Sequence, residues 1–334
     1  MLAALLTTGL FAVTAVFARR AALALGATAA NFWRLALATV VLGVWTALVG
    51  RGLGVAGGWF FLGGVAGFGL GGLAMFHSLP RAGSNLSTLT VQCGSVVVAL
   101  AGEGLWLGTV PTGYQLACIG VILAGVLLGL APRGLPQFAP RQLRIGAALA
   151  ALSACGQGAG QVLSRHAFAV ARGLGEAVSP PTAAFERAVA GLLVAALALG
   201  AVWACRRRDA VRGEHGCAPA GTPRAGGEDG SCAPVAQSSS FCVRQSVLRR
   251  AAPWVVLNAA TGPVLGVVCL QWALRTTPAG VVQSVVALAP LLTAPLAWRL
   301  GEAVPRGRYF AGAAVAVAAT VALFSPEVVL WGKR

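Results

Sequence analysis

The 334-residue chain is 57% apolar and only 10% charged, with a mean hydropathy of +0.79 and a formal charge of +16. A soluble domain carries about a quarter charged residues to solvate its surface, so this composition excludes an ordinary soluble globule and points to a membrane protein. The basic excess does not mark nucleic-acid binding, because most arginines fall between or at the ends of apolar runs, where lipid headgroups and insertion topology account for them.

The opening run MLAALLTTGLFAVTAVFARR has no basic leader and carries its arginines after the apolar stretch, so it is read as a retained first span. A hydrocarbon core of about 30 Å takes roughly 20 helical residues. Apolar runs near that length stand at approximately 2–18, 32–50, 59–79, 84–107, 113–131, 143–164, 183–204, 252–273, 279–299 and 308–325. They are continuously apolar rather than alternating, which argues against a β-barrel. Helices are then the remaining way to satisfy a backbone in lipid. The expected fold is an all-α polytopic membrane protein of ten transmembrane helices.

Most connections are short. The exception is 205–250, rich in Gly, Pro, Ser and charge, which reads as a poorly ordered insertion between the seventh and eighth spans. Of the eight cysteines, Cys93, Cys118, Cys155 and Cys269 sit singly in apolar runs. Cys205, Cys217, Cys232 and Cys242 lie in or beside the insertion, without the close pairing of a zinc site. No metal or cofactor is implied, and no GxxxxGK[ST] motif supports ATP-driven transport by this chain.

Polar groups inside spans are the functional candidates, because each is costly in lipid. Asn85, Thr88, Gln92 and Ser95 recur at one helical face. Gln157 and Gln161 stand four apart, Asn258, Thr261 and Gln271 lie in the eighth span, and Gln283 with Ser284 opens the ninth. Asn85, Thr88, Gln92, Gln157, Gln161, Asn258 and Gln283 are the candidates for a substrate cavity suited to a small polar or zwitterionic solute. The competing reading is interhelical hydrogen bonding that joins the spans. Glu103, Arg34 and Arg187 are the candidate coupling or charge residues; the two arginines would pair with acids or reach lipid headgroups. His77 and Glu302 read as membrane-edge groups. Pro290 and Pro295 interrupt the ninth span and are the hinge candidates.

The chain also echoes itself. MFHSLPRAGSNLSTLTVQCGSVVVALAGEGLWLGTVP (75–111) aligns with CLQWALRTTPAGVVQSVVALAPLLTAPLAWRLGEAVP (269–305), and NFWRLALATVVLGVWTALV (31–49) with AAFERAVAGLLVAALALG (183–200). Two five-span halves follow, about 1–131 and 141–325. An odd number of spans per half sets the halves in opposite orientation, as in many secondary transporters. The run ALRTTPAGVVQSVVALAPLLTAPLAWRLGEAVPRGRYFAGAAVAVAA (273–319) resembles the second-half signature of the EamA-like, ten-span permeases of the drug/metabolite transporter superfamily. The matching features are Ala273-Leu274-Arg275, a mid-span Pro290, Leu300-Gly301-Glu302 and Gly312. The first half departs from that pattern, with Leu107-Gly108-Thr109 where Leu-Gly-Glu is expected and Glu103 earlier.

The resemblance implies a multi-pass permease or exporter of the cell membrane, of the bacterial inner-membrane kind. It would move small metabolites or amino-acid-like solutes by alternating access, driven by a proton gradient or by exchange. The implied partners are a small-molecule solute, membrane lipid and a second copy in a homodimer, with no nucleic acid. The family orientation puts both termini in the cytoplasm, whereas the arginines, concentrated after the odd-numbered spans, favour the opposite. The rival classes are a non-transporting scaffold or sensor and a membrane-embedded enzyme. The enzyme is disfavoured by three scattered histidines and no HExxH motif.

Overall fold

The computed structural model describes residues 2–50, 54, 56–130, 139–215, 251–299 and 307–324. Among these the regular structure is helical throughout. The elements are α1 (Leu2–Leu25), α2 (Ala27–Val49), α3 (Gly57–Leu107), α4 (Gly113–Leu130), α5 (Pro140–Gly173) and α6 (Pro180–His215). They continue with α7 (Ala251–Thr276), α8 (Ala279–Val286), α9 (Ala289–Arg299) and α10 (Gly307–Leu323). Cys217, Cys232, Cys242, Glu302 and most of the 205–250 insertion lie outside the described residues.

Seven of the described helical stretches are long and apolar enough to cross a membrane, so this is an all-α, multi-pass membrane protein. The difference from ten apolar runs has physical causes. The charge-free middle of α5 is diluted by Ser153, Gln157, Gln161 and glycines, and α10 is apolar but only 17 residues long. The third cause is α3, a single run of 51 residues. A straight helix of that length would reach about 76 Å, more than twice a hydrocarbon core.

The α3 run is not straight. Gly83 holds φ 77° and ψ 165° inside it, a conformation that a Cβ resists. The Ser78 and Ser87 hydroxyls, nine residues apart, are only 2.7 Å apart, whereas an uninterrupted helix would separate them by about 13 Å. The chain therefore doubles back at Gly83, giving a first arm (57–82) and a return arm (84–107). At the far end Gly108, at φ 64°, closes the return arm in the left-handed conformation, which accounts for the Leu-Gly step.

One boundary moves. The first span was expected to stop near residue 18, with Arg19 and Arg20 in a connection, but α1 continues through both to Leu25. Ala21–Leu25 are strong helix formers, no breaker intervenes before Gly26, and the Arg20 guanidinium lies 4.9 Å over the Trp254 ring.

Both prolines of the ninth span have identifiable effects. The span breaks at Ala287–Leu288, between α8 and α9, just before Pro290. The Val285 carbonyl at that break accepts a 3.1 Å bond from the Thr8 hydroxyl of α1. Pro295 lacks the N–H that would bond the carbonyl of Leu291, four residues back. Tyr309 Oη donates to that carbonyl at 2.6 Å.

The α4 and α10 helices pack antiparallel with their backbones touching. Tyr114 Oη donates to the Ala322 carbonyl, Gly125 abuts Gly312, and Gly129 abuts the Tyr309–Gly312 segment. A Cβ on Gly125 would stand 2.8 Å from the Gly312 carbonyl oxygen, so this contact requires small residues. Similarly, α2 and α6 run antiparallel, with Gly43 against Phe185 and Leu35 against Gly191.

Two expectations follow. Gly83→Ala should destabilise the protein by about 1 kcal/mol or more, because Ala resists φ 77°; a thermal midpoint in detergent equal to wild type would contradict the reversal. Tyr309→Phe should cost roughly 1 kcal/mol by orphaning the Leu291 carbonyl, read as a lower midpoint in the same assay.

Candidate functional site

The site begins with one turn and its caps. The α7 helix ends at Thr276, and α8 begins at Ala279 immediately after the extended Pro278. A helix start leaves its first N–H groups without intrahelical partners. Here the Glu103 carboxylate takes two of them: Oε1 accepts from Ala279 N–H at 2.6 Å and Oε2 from Gly280 N–H at 2.9 Å. The preceding helix end is capped by opposite charge. Arg165 donates to the carbonyls of Leu274 and Arg275 at 3.0 and 3.2 Å, and Arg172 to that of Arg275 at 3.0 Å. Acid at a helix start and base at a helix end both complement the backbone dipole. Beside the turn a cavity of about 240 Å³ is lined by Phe168, Arg172, Glu176 and Arg275, among others.

Glu103 is fully buried, and its two oxygens are engaged by backbone 176 and 177 residues away in sequence. The side chain thus caps the start of another helix from the last turn of its own. The third arginine of the turn, Arg275, is exposed.

One turn deeper in α8, Gln283 is fully buried. Its Nε2 donates to Gln92 Oε1 at 2.8 Å and to Ser95 Oγ at 2.5 Å on the return arm of α3. Thus Gln92, Ser95 and Gln283 meet, while the Gln283 Oε1 atom has no hydrogen-bond partner among the described residues. Thr88 is buried on the same face but bonds the Ser84 carbonyl of its own helix. Asn85 is half-buried, with its Oδ1 unpartnered.

A second polar group centres on Arg187 of α6, only 2% exposed. Its Nη1 donates to Ser164 Oγ of α5 at 2.7 Å, and Gln271 Nε2 of α7 approaches the same hydroxyl at 3.5 Å. Gln161, one turn before Ser164, is buried with an unpartnered Oε1. Gln157 is half-buried against the first arm of α3 near Gly67 and Gly71. Both groups touch α5: Gly158 sits under the Ser95 carbonyl, and Gly160 under Arg187.

The remaining candidates are placed differently. Arg34 is half-buried; its Nε and Nη2 donate to Asn31 Oδ1 at 3.0 and 2.9 Å, and it lies 4.7 Å over the Phe76 ring. Among the described residues neither Arg34 nor Arg187 is paired with an acid. Asn258 is fully buried with both amide atoms unpartnered, near Gly262. Thr261 instead pairs with Thr14 at 2.7 Å. His77 Nε2 meets the Thr28 hydroxyl at 3.1 Å. Among the described residues no three His, Cys, Asp or Glu side chains are grouped to hold a metal.

Sequence reasoning missed the roles of Ser164, Thr8, Arg165 and Arg172. A serine or threonine in an apolar helix reads alike whether it bonds its own i−4 carbonyl or a neighbour, and Ser164 and Thr8 do both.

Residues 1–130 match the model of the EamA-like transporter family. Over this stretch the chain is similar to the EamA-like transporters. The stretch contains Glu103, Gln92 and Ser95, so the contacts to α8 join the EamA-like region to the rest of the chain. No curated protein matches the chain. The chain is also similar to a solved structure titled only "Crystal structure of protein", at 18% identity over 96% of both chains with a TM-score of 0.58, a likeness of fold alone.

Removing the Glu103 carboxylate should leave two buried N–H groups unpaired. Glu103→Ala is expected to lose about 2–4 kcal/mol, and Glu103→Gln, which keeps one acceptor oxygen, less than that. Denaturation midpoints in detergent check the order; an Ala variant as stable as wild type would contradict the cap.

Proposed function

We propose that the protein is a secondary transporter that moves a small polar solute, a metabolite or amino-acid-like compound, by alternating access. The EamA-like match over residues 1–130 carries this reading. Likeness to a transporter family over residues 1–130 also favours transport over catalysis or a scaffold role.

The proposal includes ten spans in two inverted halves, about 1–131 and 141–325. The reversal at Gly83 supports counting α3 as two spans, and α8 with α9 would form one broken span. The antiparallel α2–α6 contact supports an inverted relation, since it pairs segments that echo one another in sequence, and α4 and α10 pack antiparallel in the same way. The solute site would lie where the halves meet. The Gln92–Ser95–Gln283 group, with its spare amide oxygen, supports an uncharged hydrogen-bonding wall there. A second copy of the chain as homodimer partner belongs to the same proposal.

Glu103 acts in this scheme as a latch between the halves. Rocking one half against the other separates its carboxylate from the α8 start, and protonation would weaken both charge-assisted bonds and ease that release. A proton gradient could then drive the cycle. The test is uptake and counterflow of radiolabelled amino acids and small metabolites in proteoliposomes, with and without an imposed pH gradient. Expected are saturable counterflow of at least one solute, and proton-driven uptake that Glu103→Gln abolishes while counterflow persists. Absence of counterflow across the panel would contradict transport of this class; gradient dependence unchanged in Glu103→Gln would remove Glu103 from coupling.

A further inference from the structure

Arg187 is a fully charged side chain in the interior of a membrane protein, and its surroundings are arranged around it. Gly67 and Gly160 face its Nη2: a Cβ on either would stand 2.9 or 3.1 Å from that nitrogen. The Phe68 ring centroid is 5.2 Å from its guanidinium carbon. Yet the described residues give it the neutral Ser164 hydroxyl as a hydrogen-bond acceptor and leave its Nε with none. A buried guanidinium without an anionic partner is costly by several kcal/mol, and in a membrane core such a group is a functional pointer.

The sequence echo supplies an internal control. Arg34 of NFWR corresponds to Arg187 of AFER. In the first copy Asn31, three residues earlier, accepts from both Nε and Nη2 of Arg34. In the second copy that position is Ala184, which offers no acceptor. The first arginine is satisfied within its own helix, and the second is left open.

The unpaired atoms around Arg187 are of both kinds. Nε is a cationic donor without an acceptor, while Gln271 Oε1 and Gln161 Oε1 are buried acceptors without donors. Gln271 is tied to the same Ser164 hydroxyl as Arg187, and Gln161 precedes that serine by one helical turn. A carboxylate would take the guanidinium edge, since the planar fork matches its two oxygens. An ammonium on the same small molecule would take the amide oxygens.

From this we propose that Arg187 is the residue that binds the carboxylate of the transported solute, with Gln161 and Gln271 taking its ammonium group. The proposal rests on the transport reading and assigns that reading its binding residue.

The test uses purified full-length protein and the proteinogenic amino acids, each paired with its primary amide, which keeps the ammonium and removes the carboxylate. Binding is read as the thermal shift, and flux as counterflow in proteoliposomes. At least one amino acid should stabilise wild type, with its amide at least tenfold weaker. Arg187→Gln should abolish this discrimination, and Arg187→Lys, which keeps charge but not the fork, should reduce it about tenfold. If Arg187→Gln does not fold, as judged by a monodisperse elution profile, the Lys variant carries the comparison. A merely structural arginine would lower the midpoint of both variants without changing the acid-to-amide ratio. Equal shifts from acids and amides, discrimination unchanged in Arg187→Lys, or no shift from any amino acid would each overturn the proposal. Counterflow of other solutes would then leave the transport reading standing. Amino-acid binding lost in the Arg187 variants, without counterflow of any solute in wild type, would support the site and sink transport.

Discussion

A buried carboxylate on the backbone of a distant helix start is the interaction on which the rest of this structure depends. The Thr-Pro turn between α7 and α8 leaves two N–H groups without intrahelical partners at one helix start and orphan carbonyls at the end of another. Glu103 closes the first set, and Arg165 and Arg172 close the second. Three charges thereby become the complement of two helix dipoles. The position of α8 follows from this clamp, and with it the meeting of Gln283 with Gln92 and Ser95.

Glycine provides the second constraint. The reversal at Gly83 lets one 51-residue run pass back on itself, and α4 meets α10 through Gly125 and Gly312. Beside Arg187, Gly67 and Gly160 serve a different end, since their missing side chains make room for a guanidinium. Close packing and a polar interior are thus achieved by one residue type. This matters because lipid supplies no hydrophobic force between helices, so association relies on contact and hydrogen bonding.

The helices were legible because a bilayer demands long apolar runs, and most boundaries fall within a few residues of those runs. Glu103 was legible as an unusual acid but not as a cap, because its partners lie 176 and 177 positions away and backbone N–H groups leave no trace in a residue pattern. Likewise, Arg187 near the start of an apolar run could have faced headgroups; only packing shows it turned inward beneath Phe68. The contrast of Asn31 with Ala184 was written in the sequence, but acquired meaning once the Arg34 fork was found on the Asn31 oxygen.

Alternating exposure of the Gln92–Ser95–Gln283 group is the central claim, and one measurement tests it most directly. With the eight native cysteines replaced, Ser95→Cys would be labelled in proteoliposomes by a membrane-impermeant thiol reagent applied from either side. The account predicts labelling from both sides, with a transported solute changing the two rates in opposite directions. Labelling from one side only, with and without solute, would contradict it.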